Sequence, residues 1–231
     1  MRTQAGMNTL PDRVEGVLFD LDGTLLDSAP DLYAALVRQC VEEEVAPPDF
    51  AIVRAVVSRG SRAILRCAFG DRGEAGVEAL VPRYLALYEQ AMAEDTHAFD
   101  GIEALLGTLE QRGIRWGVVT NKPGFLTDPL LDRIGWSARA AAVVSGDTLP
   151  VKKPDPAPVR LACDTAGIDP SRSLFVGDDR RDVQAGAAAG LYTVAVRWGY
   201  LDGGDPDTWQ ADAVIDHPGQ LLRLLAPEVS A

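Results

Sequence analysis

Six short apolar runs, each closed by a polar residue or a glycine, constrain this chain most: Val17–Phe19, Ile114–Val119, Ala141–Val144, Leu174–Val176, Thr193–Val196 and Ala213–Ile215. Runs this short and continuous suit strands buried on both faces of a parallel sheet. Helix-length segments lie between the later runs, at 101–112, 124–134, 156–166 and 180–189, and each stops at a glycine: Gly113, Gly135, Gly167 and Gly190. A glycine there accepts the left-handed conformation that ends a helix. Alternating strand and helix predicts a doubly wound α/β sheet.

One connection is too long for that pattern. About 90 residues separate Phe19 from Ile114, whereas a whole βαβ unit takes only roughly 30 or more. The surplus has apolar positions at three- and four-residue intervals over Asp31–Val45, Phe50–Val57, Ser61–Phe69 and Glu74–Met92, a helical spacing. An inserted helical cap at 30–95 over a core made of 1–29 and 96–231 is therefore expected. The turn-rich stretch Gly199–Asp212 is expected as an ordered loop before the last strand.

The chain carries 34 acidic against 22 basic residues, a net charge of −12, so its surface repels polyanions. Nucleic acid and anionic membranes are excluded as default partners. Cys40, Cys67 and Cys163 lack metal or redox spacing and are expected as reduced core residues. The first 16 residues have no apolar signal region, and no later stretch approaches the roughly 20 apolar residues of a membrane span. A soluble cytoplasmic protein, monomer or homodimer, is expected.

Ligands of an open parallel sheet bind at the carboxyl ends of the strands. There this chain places Asp20-Leu21-Asp22-Gly23-Thr24, Thr120-Asn121-Lys122, Lys152-Lys153-Pro154 and Gly177-Asp178-Asp179, with Asp182 one turn later. Asp20, Asp22, Asp178, Asp179 and Asp182 would repel one another without a cation, and a hard divalent metal such as Mg²⁺ resolves that repulsion. The metal, Lys153, Thr120 and Asn121 then surround a space suited to a phosphoryl group. An aspartate can be the nucleophile, and a second carboxyl two residues on can serve as general acid and base. Asp20 and Asp22 fit that division. Singly, each motif also suits an ordinary turn or helix cap; four together do not.

LFDLDGTLLDS, VVTNK, KKPDP and VGDDRRD, in this order, resemble the four motifs of the haloacid dehalogenase superfamily of phosphatases. The resemblance spans Val17 to Val196 and implies a Rossmann-like core with an inserted helical cap. It makes Asp20 the nucleophile, Asp22 the general acid and base, and Thr120 and Lys153 phosphate-binding. It implies a metal held by the Asp20 carboxylate, the Asp22 carbonyl and Asp178, with Asp182 in support. Asp179 stands where many relatives carry serine. LDSAPDL looks like the phosphoglycolate phosphatases, while VVSRGSRAIL, WGVVTNKP and VRWGYL are similar to bacterial N-acetylmuramic acid 6-phosphate phosphatases. That subgroup more often has two glycines at Arg59-Gly60.

The expected activity is hydrolysis of a small phosphate ester, either 2-phosphoglycolate or N-acetylmuramic acid 6-phosphate. Arg59 and Arg62 are candidates for a substrate carboxylate, which guanidinium binds bidentately. A sugar phosphomutase uses the same aspartate pair and stands as the alternative. An inactive binding module on the same fold is the more distant one.

Overall fold

The computed structural model describes residues 9–225. The ends of the expected core, 1–8 and 226–231, lie outside the described residues. A six-stranded, all-parallel sheet runs in the order β5-β4-β1-β6-β7-β8. Its strands are β1 (Gly16–Phe19), β4 (Arg115–Val119), β5 (Ala142–Val144), β6 (Ser173–Gly177), β7 (Tyr192–Val196) and β8 (Ala213–Ile215). All six expected runs are strands. The central strands lie between helices on both faces, so alternation of side chains along them feeds two cores rather than a core and solvent.

Helices α5 (Ile102–Gln111), α6 (Gly124–Arg133) and α9 (Pro218–Leu224) share one apolar cluster with Val17, Phe19 and Val118. Helices α7 (Ala157–Ala166) and α8 (Arg180–Ala189) cover the other face with Leu18, Val119 and Phe175. The chain winds from β1 to β4 and β5 on one side and returns to β6 on the other. The end of β1 is thus the topological switch point, where open α/β sheets bind ligands.

Helices α1 (Ala29–Glu42), α2 (Phe50–Arg54), α3 (Ser61–Phe69) and α4 (Gly73–Ala91) fill the long connection. Entry and exit are stitched by a short antiparallel pair, β2 (Leu26–Asp27) with β3 (His97–Ala98). The buried Asp31 carboxylate accepts from the backbone N–H of Ala93 at 2.8 Å and Asp95 at 2.8 Å, and from the Thr96 hydroxyl at 2.6 Å. One acidic side chain thereby ties the first turn of α1 to the segment leaving α4. Leu36, Tyr84 and Leu87 of the insert are continuous with the sheet's core through Leu21, Leu25 and Leu26.

Two expectations are corrected. The helix expected over Phe50–Val57 stops at Arg54, and Val57–Arg59 forms a separate 3₁₀ turn. Cys40 and Cys163 are buried, but Cys67 is only half-buried. The Gly199–Asp212 stretch is ordered as expected, carries two 3₁₀ turns and buries Tyr200.

Candidate active site

Asp20 is the first residue beyond β1, its N–H still pinned to the Val176 carbonyl at 2.9 Å. One carboxylate oxygen accepts from Lys153 Nζ at 2.7 Å. Lys153 is almost fully buried and also reaches Asp182 Oδ1 at 2.8 Å and the Val119 carbonyl at 2.6 Å. Burial opposes its charge, but Asp182 and Asp20 outweigh burial and hold the ammonium above the ordinary lysine range. Asn121 does not aim its carboxamide at open space. Its Nδ2 donates to the Lys153 carbonyl at 3.1 Å, and its Oδ1 accepts from the Lys153 N–H at 3.1 Å, fixing the lysine's backbone. Thr120 Oγ1 accepts from the Lys122 N–H at 3.1 Å, so its own hydroxyl proton remains available to a ligand.

Asp22 is held differently. Lys122 Nζ lies 3.1 and 3.2 Å from its two oxygens, and the Ser28 hydroxyl donates to one of them. The same ammonium donates to the Tyr88 hydroxyl at 2.9 Å and sits 4.6 Å from that ring's centre. Tyr88 belongs to α4, so the insert reaches down to the partner of Asp22. Burial again opposes the lysine's charge, and Asp22 and Tyr88 overcome it.

Asp178 has no exposed surface and, among the described residues, no cationic partner of its own. Thr24 Oγ1 donates to one oxygen at 3.1 Å and the Tyr200 N–H to the other at 2.8 Å. Burial, followed by Asp20 and Asp182, pushes its carboxyl well above the usual range. Burial likewise pushes Asp182 up to about 7, against the pull of Lys153. Glycine is required where the backbone crowds this acid. A Cβ on Gly23, whose φ is +89°, would stand 2.3 Å from Asp178 Oδ2, and one on Gly199 would stand 2.3 Å from Asp178 Cβ.

Asp20, Asp178 and Asp182 each offer a carboxylate oxygen within 4.8 Å of the others. Three converging hard donors, two of them buried with carboxyls that burial disfavours as anions, fit a divalent metal ion. The carboxylate of Asp182 thus joins the cluster beside Asp20 and Asp178, while that of Asp22 turns to Lys122. Asp179 caps α8, accepting from the Arg181 N–H at 2.8 Å, and Asp182 Oδ2 accepts from the Asp179 N–H at 3.1 Å.

A cavity of about 450 Å³ opens above these groups, lined from the sheet side by Asp20, Asp22, Thr120 and Lys153 and from the insert by Arg59 and Arg62. Gly60, with φ +82°, turns the chain into α3 at its rim. Both arginines are exposed and already paired, Arg59 with Asp202 and Arg62 with Glu78 at 2.6 Å.

Residues 17–196 match the family described as haloacid dehalogenase-like hydrolase. The chain belongs to that family. A phosphoglycolate phosphatase of Xanthomonas campestris pv. campestris is 47% identical to this hydrolase over 206 residues, 89% of this chain and 93% of the relative. An N-acetylmuramic acid 6-phosphate phosphatase of Pseudomonas aeruginosa is 45% identical over 217 residues, 92% and 95% of the two chains. Among solved structures, a predicted phosphoglycolate phosphatase from Haemophilus somnus superposes with a TM-score of 0.84 at 24% identity, covering 94% of this chain and all of that one. The expected Rossmann-like α/β fold and the expected enzyme of phosphatase type are borne out. Among the described residues of this hydrolase, no helix is long and apolar enough to cross a membrane.

Ser28, Tyr88, Tyr200 and Arg181 escaped the sequence reading of the site, and Thr24 and Lys122 stood among its strand-end residues without a role. Lys122 and Arg181 stand inside the motifs VVTNK and VGDDRRD. Their signal was charge balance, since five acids gathered around Lys153 alone call for further cations.

Proposed function

We propose that this hydrolase is a Mg²⁺-dependent phosphomonoesterase acting through a phosphorylated Asp20, built as a core of 1–29 and 96–231 with a helical cap at 30–95. The observation that carries the reading is Lys153 held between Asp20 and Asp182, beneath a cavity that Asp22 and Thr120 also line. Lys153 draws negative charge off the phosphoryl oxygens, and the Thr120 hydroxyl donates to one of them. Asp20 attacks phosphorus as the ester P–O bond breaks, and the leaving oxygen takes a proton from Asp22. Asp22, now a carboxylate facing Lys122, removes a proton from water, which attacks the acyl phosphate. Phosphate leaves, and Asp20 is regenerated. A bound divalent ion would supply charge neutralisation among Asp20, Asp178, Asp182 and the phosphoryl group, with the Asp22 carbonyl as a further oxygen donor.

The cavity volume falls in the range of about 300–1,000 Å³ typical of ligand pockets, which suits a sugar-sized ester better than a two-carbon acid. N-acetylmuramic acid 6-phosphate is therefore favoured over 2-phosphoglycolate, in a cytoplasmic setting. Inorganic phosphate release with Mg²⁺ from both esters, beside an Asp20→Asn control, tests this. A kcat/KM advantage of about tenfold for the muramic ester supports it, since that is roughly 1.4 kcal/mol of barrier. The reverse preference assigns the two-carbon substrate, and turnover by Asp20→Asn removes Asp20 as nucleophile.

A further inference from the structure

We propose that Asp179 and Arg181 are a positioning pair that docks the Val57–Arg62 segment of the insert over the phosphate site, and that this docking sets which leaving groups are accepted, a proposal that rests on the phosphomonoesterase reading above. Arg181 Nε donates to Asp179 Oδ1 at 2.8 Å, and Nη2 donates to Asp179 Oδ2 at 2.6 Å. That two-point grip fixes the guanidinium plane. From the same Nη2 a second hydrogen bond crosses to the insert, reaching the Ser58 carbonyl at 2.7 Å. Burial opposes the charge of Asp179, yet the hydrogen bonds from Arg181 hold its carboxyl below the usual range.

The pair is anchored to the chemistry. Asp179 shares its capping box with Asp182, and Asp182 meets Lys153, so contacts run unbroken from Lys153 through Asp182, Asp179 and Arg181 to Ser58. A second tie grips the neighbouring residue: Arg59 Nη2 donates to the Asp202 carbonyl at 3.2 Å, with Nε on the Asp202 carboxylate. The ties come from two separate core segments, the start of α8 and the loop after β7. They converge on Ser58 and Arg59, immediately before Gly60 turns the chain into α3. The Arg59 tie is exposed and screened by water, whereas the Arg181 tie is charge-assisted and part-buried, so Arg181 is the main anchor.

This gives Asp179 a purpose that a serine at that position could not serve. Serine can cap α8, but it lacks the second oxygen needed to grip a guanidinium. Lysine at 181 could not hold a carboxylate and a carbonyl in one fixed plane. Since Asp20 and Thr120 are set by strands β1 and β4, and Lys153 by its bonds to Asn121, the Val119 carbonyl and Asp20, loosening the docked segment leaves the phosphate's contacts in place. The cost falls on the part of the substrate that reaches the insert, and a large leaving group has more there to lose.

The test uses the full chain with Arg181→Ala, Arg181→Lys, Asp179→Asn, which retains a capping oxygen, and the Arg181→Ala/Asp179→Asn double variant. Backbone hydrogen exchange over 57–62 is read first, in protein whose unfolding midpoint confirms folding. Exchange there should rise about tenfold in Arg181→Ala, partly recover in Arg181→Lys, and rise no further in the double variant, because the two residues act as a unit. Kinetically, KM for N-acetylmuramic acid 6-phosphate should rise several-fold more than KM for 2-phosphoglycolate. Unchanged exchange in Arg181→Ala overturns the docking. Equal losses on both esters, or effects that multiply in the double variant, overturn its role in selecting leaving groups. Wild-type protein that releases phosphate from neither ester overturns the substrate assignment of that reading instead, while exchange still decides the docking.

Discussion

Stripped of metal, this protein should lose stability as pH rises from about 4 to about 7, against the usual trend for carboxylates paired in the folded state. Burial lifts the Asp182 carboxyl from 3.8 to about 7, and Asp178 moves the same way. A group whose folded pKa is raised binds its proton more tightly folded than unfolded. Its contribution is fully present below the unfolded value and disappears as pH climbs through the folded one. Three pKa units correspond to on the order of 4 kcal/mol at 1.36 kcal/mol per unit. For a chain of this length, each kcal/mol moves the unfolding midpoint by roughly 2–4 °C.

On the proposed reading Mg²⁺ should reverse the trend, because it would bind the ionised carboxylates of the folded state only. A hundredfold excess over its dissociation constant adds about 2.7 kcal/mol. The assay is urea unfolding of chelator-treated protein at about pH 5 and about pH 7.5, with and without Mg²⁺, for wild type and Asp182→Asn. Asparagine at 182 cannot ionise, and its single oxygen can accept from Lys153 or from the Asp179 N–H but not replace both carboxylate oxygens, so the readout is the pH slope rather than the absolute stability. Wild type should be weaker at the higher pH and regain stability there with Mg²⁺, and the variant should show a much flatter response. A pH slope unchanged in Asp182→Asn, or Mg²⁺ stabilisation of equal size at both pH values, would refute the reasoning.

Gly23→Ala places a Cβ 2.3 Å from Asp178 Oδ2 at a φ of +89°, so it should destabilise by about 1–3 kcal/mol and weaken Mg²⁺ binding, read by unfolding and calorimetry. An unchanged midpoint would show that the loop relaxes freely. Lys122→Met leaves Asp22 without its ammonium and should cut kcat by about a hundredfold, within the range of general acid–base effects, while Tyr88→Phe should cost less because Asp22 keeps its lysine. Equal losses from both would place Tyr88 itself in the chemistry. Asp178→Asn should abolish Mg²⁺ stabilisation with the fold intact; retained stabilisation would move the metal elsewhere.

What the sequence made legible follows from what is local. The inner strands read clearly because both of their faces are buried, leaving apolar runs with no competing pattern, and the edge strands β5 and β8 keep short apolar runs although Val143, Ala213 and Val214 are only half-buried. The Ser61–Phe69 helix was read to the residue, its first turn following Gly60 directly. The β2–β3 pair was invisible, since two-residue strands arise from the meeting of segments 70 residues apart rather than from propensity. The break after Arg54 was equally hidden: Ser58 is held by Arg181, 123 positions away. In the site, Asp20, Thr120, Lys153 and Asp178 were legible as strand-end residues, whereas the Thr24–Asp178 and Ser28–Tyr200 contacts span 154 and 172 positions and leave no local trace.

The same long-range contacts refine the case for a metal. Five acids at the strand ends suggested a cation by repulsion alone, yet three cations already stand among them. Lys122 answers Asp22, Arg181 answers Asp179, and Lys153 is shared between Asp20 and Asp182. Among the described residues, five carboxylates against three cations leave a deficit of two charges, and it is localised: Asp178 has the neutral donors Thr24 Oγ1 and the Tyr200 and Leu201 N–H groups, and the half-answered Asp20 and Asp182 are its neighbours. Those three residues form the acidic cluster. A divalent ion closes the deficit where it lies, and a monovalent ion would leave one buried carboxylate uncompensated, which the protein can avoid only by keeping a proton. Protonation of the empty cluster and divalent metal binding are therefore two solutions to one electrostatic problem, which is why pH and Mg²⁺ should act on stability in opposition.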